Sequence, residues 1–142
     1  MSTFRYAILG AAKIAAKFCQ AASMVKDCQV CAVASKSLER AKVFAGKNGI
    51  PKAYGSYEEL LDREKPDCAY IAVTANDHYR LAMMCVERGV PVLCEKAMFQ
   101  NSAEAESLFA QARERGVFVM EAMWSRFLPT TKRVKLWLAQ DR

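Results

Sequence analysis

Histidine is scarce and basic runs are absent in this chain of 142 residues. His78 is the only histidine, and lysine and arginine nowhere form a run of five or more. The Cys-x-x-Cys pair of Cys28 and Cys31 has neither a second cysteine pair nor a nearby histidine to complete a zinc site. The net charge of +6 is spread over many segments instead of being gathered into one basic stripe. The sequence therefore predicts no metal site and no nucleic-acid partner.

The chain also lacks long apolar runs. None approaches the roughly twenty residues that a membrane-spanning helix needs. Residues 1–6 lack the basic region, apolar core and cleavage site of a signal peptide. The six cysteines lie in apolar periodic segments, which favours reduced, buried thiols over disulfides. We therefore expect a cytoplasmic protein with no membrane contact.

What is present is a regular alternation of short apolar runs and helical patterns. Hydrophobic residues make up 53% of the chain and charged residues 25%, which fits one globular domain with its own core. The alternation predicts an α/β fold, a Rossmann-type doubly wound parallel sheet. The expected strands lie near Tyr6 to Leu9, Gln29 to Ala34, Cys68 to Val73, Val92 to Cys94 and Val117 to Met120.

Helix boundaries and a change of texture near the end support this reading. Ser37 is placed to cap a helix that ends at Gly49, Ser56 and Glu59 have capping-box spacing, and Gly89 and Gly116 follow predicted helices. A last apolar stripe at i, i+3 and i+4 predicts a C-terminal helix that either folds back on the sheet or connects to another domain. The stripe consists of Val134, Trp137 and Leu138.

The turn after the first strand has the composition of a phosphate-binding turn. Gly10, Ala12 and Ala15 occupy the three small-residue positions of the dinucleotide fingerprint, with alanine at the second and third. Backbone N–H groups of such a turn and of the helix that follows bind a diphosphate. The candidate binding residues are Gly10, Ala11, Ala12, Lys13 and Ile14. An ordinary tight turn between strand and helix is the alternative interpretation.

The end of the second strand indicates which dinucleotide is bound. Enzymes that prefer NAD usually place a carboxylate there for the ribose diol, and this chain has none. Hydroxyls and cations stand there instead, which suits the 2′-phosphate of NADP. The candidates are Ser35, Lys36, Ser37 and Arg40. A helix cap at Ser37 with solvated cations is the alternative.

Two further strand ends carry candidate residues. The segment after the third long apolar run is expected to line the nicotinamide side, through Val73, Thr74, Ala75, Asn76 and His78. A helix cap and a packing or orienting histidine are the alternatives there. Glu95 and Lys96 follow another strand directly, and a lysine in that position is suited to moving a proton on a substrate oxygen during hydride transfer. A surface ion pair is the alternative for these two residues.

Four segments in order along the chain resemble the glucose-fructose oxidoreductase, inositol dehydrogenase and rhizopine catabolism (Gfo/Idh/MocA) family. The segments are Gly10 to Ala15, Ala34 to Ser37, Val92 to Lys96 and Glu121 to Pro129. The last of these, with Ile50 to Glu59, is most similar to the dihydrodiol and xylose dehydrogenase branch, which the resemblance implies uses NADP in preference to NAD.

The resemblance implies roles for individual residues. Lys96 matches the catalytic lysine of a Glu-Lys-Pro motif, Glu95 lies beside the nicotinamide, and Trp124 and Arg126 match positions that contact the cofactor. Departures from the family pattern are Ala12 for a second glycine, Ala97 for the proline, and residues 73–75 for the common Thr-Pro-Asn.

The resemblance also implies a domain plan. Family members are more than twice this long and carry a second α/β domain with the substrate site. Residues 1–125 then form an NAD(P)-binding Rossmann domain, and residues 126–142 begin a linker helix. The implied substrate is a small sugar, cyclitol or diol, and the full-length proteins associate into homo-oligomers. A non-catalytic nucleotide-binding module and a pure interaction protein are the competing functions.

Overall fold

The computed structural model describes residues 3–140 and shows a six-stranded sheet flanked by helices. The strands are β1 (Phe4–Leu9), β2 (Cys28–Ala34), β3 (Ala53–Tyr54), β4 (Cys68–Ile71), β5 (Val92–Cys94) and β6 (Val119–Glu121). The α-helices are α1 (Lys13–Ser23), α2 (Leu38–Asn48), α3 (Tyr57–Glu64), α4 (Ala75–Glu87), α5 (Ser102–Arg115) and α6 (Pro129–Ala139). A 3-10 helix spans Trp124–Phe127.

All neighbouring strands are parallel, in the order β3-β2-β1-β4-β5-β6. This is the strand order of doubly wound dinucleotide-binding folds, so the predicted fold class is confirmed. β1 lies at the centre, where Ala7, Ile8 and Leu9 are completely buried. Its pairing with β2 on one side and β4 on the other brings three strand ends to one edge.

One face of the sheet is fully covered by helices, and we call it the covered face. α3, α4 and α5 pack against it, and their large apolar side chains Leu60, Leu81 and Leu108 have no exposed surface. The strands contribute alternate residues such as Ile71 and Val92 to the same cluster. The two-residue alternation of strands decides which side chains reach this face.

The other face is only partly covered, and we call it the open face. α1 and α2 pack over β1 to β3, where Ala15, Val33 and Ile50 are buried. Over β4 to β6 no helix takes their place within residues 3–140, so Leu93 and Phe118 border an apolar groove. α6 has its principal contacts with the 3-10 helix and exposes Trp137 and Leu138. The predicted C-terminal helix is therefore present, and within residues 3–140 it does not fold back on the sheet.

Most predicted helix ends are confirmed. The hydroxyls of Ser37 and Ser56 accept hydrogen bonds from the backbone N–H groups of Arg40 and Glu59. The reciprocal half of the predicted capping box is absent, because the Glu59 carboxylate pairs with Arg63 at 3.1 Å. Gly49 ends α2 and Gly116 ends α5, each in a left-handed conformation.

Strand limits differ in detail from the prediction. The short edge strand β3 was not predicted, β4 ends two residues early, and β6 begins two residues late.

Five of the six cysteine side chains are buried, whereas Cys28 is half-buried. Burial raises the pKa of the Cys68 thiol to about 12, which keeps it protonated.

A buried carboxylate ties the β3 edge of the sheet together. Glu64 accepts hydrogen bonds from Tyr54, from the Lys52 ammonium at 2.9 Å and from the Arg5 guanidinium at 3.1 Å. Burial raises the pKa of Glu64, but hydrogen bonds from Tyr54 and Lys52 and nearby positive charge lower it more, so the net pKa is depressed. The carboxylate therefore stays charged while it joins β1, β3 and α3.

Candidate functional site

A cavity of about 420 Å³ opens where the ends of β1, β2 and β4 meet, and we call it the switch-point crevice. It is lined by Gly10, Ala11, Ala12, Ser35, Lys36, Arg40, Tyr57, Ala72, Val73, Thr74 and Asp77. All of these except Tyr57, Ala72 and Asp77 are candidates from the sequence. Three chain segments that lie far apart in sequence therefore meet in one crevice, as the doubly wound topology requires.

The Gly10 position accepts no side chain. Its φ is +115°, a region that glycine adopts readily and other residues rarely. A Cβ built there would lie 2.3 Å from the carbonyl oxygen of Ala72 on the neighbouring strand. The Gly10 N–H donates to the Ala34 carbonyl at 2.9 Å, so the turn is tied to both neighbours of β1. The turn therefore has the glycine-dependent close approach that a diphosphate cradle needs.

Two of the helices that begin at the crevice, α1 and α4, lack side-chain caps. Ala12 precedes α1 and Thr74 precedes α4, and neither side chain hydrogen-bonds the first turn. In contrast, α2, α3 and α5 are capped by Ser37, Ser56 and Asn101. The first N–H groups of a helix have no intrahelical acceptor and carry partial positive charge. Uncapped starts at α1 and α4 therefore leave donors for an anionic ligand such as a diphosphate.

Two cations line the β2 side of the crevice, with a carboxylate opposite them. Lys36 and Arg40 are exposed, while Ser35 is buried and accepts a hydrogen bond from the Ser37 N–H at 3.4 Å. The Lys36 ammonium donates to Asp77 Oδ2 at 2.6 Å. This hydrogen bond lowers the pKa of Asp77. The β2 end carries no carboxylate, as predicted, but α4 brings one into the same crevice.

The Lys96 side chain projects from the turn after β5 and is exposed. The Glu95 carboxylate accepts from the Tyr70 hydroxyl at 2.6 Å and from the Lys96 backbone N–H at 3.3 Å. Among residues 3–140 no carboxylate lies within ion-pair distance of the Lys96 ammonium, so the surface ion pair between these neighbours does not form. The Lys96 ammonium therefore has no ion-pair partner among these residues.

His78 connects the Lys96 turn to the switch-point crevice. Its side chain is 2% exposed. Nδ1 lies 3.0 Å from the Ala97 carbonyl oxygen and 3.1 Å from that of Met98, while Nε2 lies 3.1 Å from the Val73 carbonyl oxygen. These contacts correspond to the orienting role that the sequence left open. The ring holds the backbone just after Lys96 against the end of β4.

A second cavity, the apolar groove, has a volume of about 650 Å³ and lies on the open face. Tyr70 stacks on Phe18 there with ring centroids 4.1 Å apart. Burial raises the pKa of Tyr70 first, and its hydrogen bond to Glu95 raises it further. The candidates Ile14, Glu95 and Trp124 line this groove instead of the switch-point crevice.

The remaining candidates line neither cavity. Ser37 caps α2, and Asn76 accepts a hydrogen bond from the Gln100 side chain at 2.7 Å. Arg126 lies in the 3-10 helix and is exposed. The others are Lys13, Ala75, His78 and Lys96. The structure thus brings together eight of the candidates at the ends of β1, β2 and β4, and it leaves Glu95, Lys96, Trp124 and Arg126 outside that crevice.

Sequence reasoning missed four residues of the site. Tyr57, Ala72 and Asp77 line the crevice, and Tyr70 donates a hydrogen bond to Glu95. Burial raises the pKa of Tyr57, which keeps its hydroxyl neutral beside Lys36. Asp77 was visible in the first turn of a predicted helix, but its pairing with Lys36 joins residues 41 positions apart. Tyr70 was hidden inside an apolar strand.

Comparison with known proteins identifies the family. Residues 4–123 match the model for GFO_IDH_MocA, described as an oxidoreductase family with an NAD-binding Rossmann fold. The chain belongs to this family. The predicted resemblance is therefore confirmed, and the matched region is the nicotinamide dinucleotide-binding domain of an oxidoreductase family.

Individual relatives agree with this placement. The chain is 42% identical over 139 residues to trans-1,2-dihydrobenzene-1,2-diol dehydrogenase of Sus scrofa, covering 96% of this chain and 42% of that protein. It is 47% identical over 112 residues to the enzyme of that name from Homo sapiens, covering 79% of this chain and 34% of that protein.

A solved structure supports the same conclusion. KijD10, a 3-ketoreductase from Actinomadura kijaniata in complex with NADP and TDP-benzene, is 31% identical with a TM-score of 0.90. The matched region covers 98% of this chain and 43% of the KijD10 chain. The chain therefore spans about two fifths of the length of these relatives. Within residues 3–140 the helices are too short or too polar to cross a membrane.

Proposed function

We propose that this chain is the cofactor-binding half of an NADP-dependent dehydrogenase. Its reaction passes a hydride between NADP(H) and the CH–OH group of a sugar, cyclitol or diol. The observation that carries the cofactor choice is the placement of Lys36 and Arg40 in the switch-point crevice, at the end of a strand that lacks a carboxylate. The diol dehydrogenases and the NADP-containing KijD10 among the relatives support this proposal.

Each part of the crevice suits one part of the dinucleotide. The turn at Gly10 and the uncapped start of α1 bind the diphosphate through backbone N–H groups. Lys36 and Arg40 bind the 2′-phosphate by charge-assisted hydrogen bonds. Val73 and Thr74 line the crevice on the side proposed for the nicotinamide. Ala75, Asn76, Glu95, Trp124 and Arg126 lie outside the crevice and are assigned to the nicotinamide side by the sequence and the family resemblance alone. The nicotinamide, when bound, supplies the hydride chemistry.

Lys96 is the proposed proton-handling residue. It follows β5 at the edge where the strands end, and its ammonium is exposed and unpaired among the described residues. The Glu95 carboxylate accepts a hydrogen bond of 2.6 Å from the Tyr70 hydroxyl, which holds it away from that ammonium. A lysine so placed donates a proton to, or accepts one from, the oxygen of the reacting carbon. His78 fixes the backbone from which the lysine projects.

The proposed domain organisation divides the chain into two parts. Residues 1–125 are assigned to the Rossmann domain and residues 126–142 to the start of a linker, of which residues 141–142 lie outside the described part. We propose that a further domain, which the family resemblance implies, carries the substrate site in the full-length protein. The full-length protein is proposed to act on a small molecule in the cytoplasm, as a homo-oligomer.

The test of the cofactor choice is a titration of the 142-residue chain with NADPH and with NADH, followed by ligand fluorescence. Wild type is compared with Lys36→Ala/Arg40→Ala. The matched control is Lys42→Ala/Lys47→Ala, which removes the same charge from α2 at residues that do not line the crevice. We expect preferential NADPH binding that weakens about tenfold or more in the crevice variant only. Equal affinity for both nucleotides, or equal weakening in both variants, would contradict NADP specificity.

The test of catalysis uses turnover with NADP and either trans-1,2-dihydrobenzene-1,2-diol or D-xylose. We expect the 142-residue chain to bind NADPH without turnover. A fusion to the remaining three fifths of the Sus scrofa relative is expected to turn over, and Lys96→Ala in that fusion to lose most of the rate. A nucleotide-binding module without catalysis is the competing function, and an inactive fusion that still binds NADPH would favour it.

A further inference from the structure

Asp77 is the one carboxylate that lines the switch-point crevice, opposite two cations. Resting on the proposed NADP function, we propose that Asp77 is a specificity-determining residue. It weakens recognition of the 2′-phosphate by holding the Lys36 ammonium in an ion pair for which the phosphate must compete. The crevice is thereby kept less selective for NADPH over NADH than its two cations alone would make it.

The geometry of the pair supports this assignment. Lys36 Nζ lies 2.6 Å from Asp77 Oδ2, the shortest ion pair among residues 3–140. The Lys36 side chain is 67% exposed and that of Asp77 only 24%, so the lysine is the partner with more room to move. Arg80, one turn further along α4, lies 3.6 Å from the other carboxylate oxygen. Asp77 is therefore the fixed member, held from one side by Arg80 while Lys36 reaches it from the other.

The position of the pair makes it relevant to the cofactor. In NAD-dependent Rossmann enzymes the ribose carboxylate usually comes from the end of the second strand. Here that strand end provides Lys36 and Arg40, and the carboxylate comes from the first turn of α4 instead. Hydrogen bonding from Lys36 lowers the pKa of Asp77, so the carboxylate stays ionised at neutral pH. A 2′-phosphate beside Lys36 therefore meets an adjacent negative charge as well as two positive ones.

Removal of that negative charge has a predictable direction. A neutral residue at position 77 frees the Lys36 ammonium and removes the repulsion between the carboxylate and the doubly charged phosphate. We expect binding of a 2′-phosphorylated ligand to become about fivefold tighter or more at low salt, and the gain to shrink as salt screens the charges. A ligand without the 2′-phosphate should change by less than about twofold, because it lacks the charge that Asp77 repels.

The experiment measures dissociation constants of 2′,5′-ADP and 5′-AMP by calorimetry on the 142-residue chain. These fragments occupy the adenosine end and do not require a second domain. The variant is Asp77→Asn, with Asp77→Ser as a second variant in case the first misfolds. Asp62→Asn is the matched control, because it removes the same charge and breaks an ion pair with Arg88 of 2.8 Å that lies outside the crevice. The same measurements are repeated in the Lys36→Met background.

The expected result is tighter 2′,5′-ADP binding in the Asp77 variants only, with the gain largely lost once Lys36 is replaced. Unchanged or weaker binding of 2′,5′-ADP would overturn the inference while leaving NADP recognition intact. An equal gain in Asp62→Asn would also overturn it, because overall charge would then explain the effect. A wild-type chain that binds 5′-AMP but gains nothing from the 2′-phosphate would overturn the proposed NADP preference, and this inference with it.

Discussion

The two faces of the sheet differ in how completely helices cover them. On the covered face, Leu60, Leu81 and Leu108 have no exposed surface. On the open face, Phe118 is 64% exposed and Trp124 is 63% exposed. Both sets of side chains are large and apolar, so composition alone does not separate them. Burial depends on whether a helix crosses above each strand, which is a property of the connections.

The handedness of the connections explains the difference. Parallel strands are joined by right-handed crossovers, so the face on which a helix lies depends on the direction in which the chain moves across the sheet. From β1 to β3 the chain moves outward one way, which places α1 and α2 on the open face. From β4 to β6 it moves the other way, which places α4 and α5 on the covered face. In the part of the chain that the structure describes, β4 to β6 are therefore left without a helix on their other side.

The largest effect is expected from apolar truncation on the covered face. Leu81→Ala should lower the free energy of unfolding by about 2–5 kcal/mol, because it leaves a cavity in a fully packed cluster. Leu138→Ala in α6, where the side chain is 69% exposed, should change it by less than about 0.5 kcal/mol. Urea unfolding measures both. Equal losses at the two leucines would show that α6 contributes to the core.

A polar group on the covered side is expected to have the next largest effect. His78→Ala removes a buried imidazole whose nitrogens lie 3.0 Å to 3.1 Å from the carbonyl oxygens of Val73, Ala97 and Met98, and should lower the free energy of unfolding by about 2–3 kcal/mol. His78→Asn keeps a donor of similar reach and should lose less. Urea unfolding again provides the measurement, with the exposed neighbour Asn76→Ala as the control. A variant as stable as wild type would mean that the Lys96 turn is held by other contacts.

A smaller effect on stability is expected from the charged hydrogen-bond network of Glu64 at the β3 edge of the sheet. Glu64→Gln should lower the free energy of unfolding by about 1 kcal/mol at neutral pH, because Tyr54, Lys52 and Arg5 lose a charged acceptor. The pKa of Glu64 is depressed in the folded state, so the stabilisation is present above the unfolded-state pKa and is lost as pH falls through the lower folded-state pKa.

The difference between wild type and Glu64→Gln should therefore shrink in acid. Thermal unfolding at a series of pH values measures it. Glu106→Gln, on the exposed side of α5, removes the same charge and serves as the control. A constant difference between Glu64→Gln and wild type from neutral to acidic pH would contradict the assigned linkage.

The smallest effect on stability is expected on the open face. Trp124→Ser and Phe127→Ser should each change the free energy of unfolding by less than about 0.5 kcal/mol, because both side chains are more than half exposed. The same changes should lower the binding of an apolar dye such as anilinonaphthalene sulfonate, because they remove aromatic surface from the apolar groove. Unchanged dye binding would place the dye elsewhere on the molecule.

The sequence predicts the strands and helices of this molecule better than the contacts between its side chains. Alternating apolar runs locate five of the six strands, and strand ends locate most of the switch-point crevice. β3 is missed because two residues, Ala53 and Tyr54, are too few to show a period. Lys36 and Arg40 are found because a parallel sheet sends all strand ends to one edge.

Partners across the crevice and across the sheet lie beyond such reasoning. Asp77 reaches Lys36, and Tyr70 reaches Glu95, only after the strands have paired. The residue type alone does not identify the hydrogen-bond partner. An aspartate at the start of a helix can also cap that helix, and a tyrosine in a strand can also simply be buried in the core. The open face is equally hidden, since a strand that is apolar on both sides predicts cover on both.

The position of β1 at the centre of the sheet sets an order of events during synthesis. β1 leaves the ribosome before the other strands of the sheet, yet it pairs with β4, whose first paired residue, Cys68, follows Tyr6 by 62 positions. A nascent chain that stops before β4 exposes one unpaired edge of its central strand. The Gly10 turn and Lys36 are then already made, but the wall of the crevice formed by Ala72, Val73 and Thr74 is not. A ligand that needs the whole crevice can therefore assist only the later stage of folding, after the chain has been translated past Thr74.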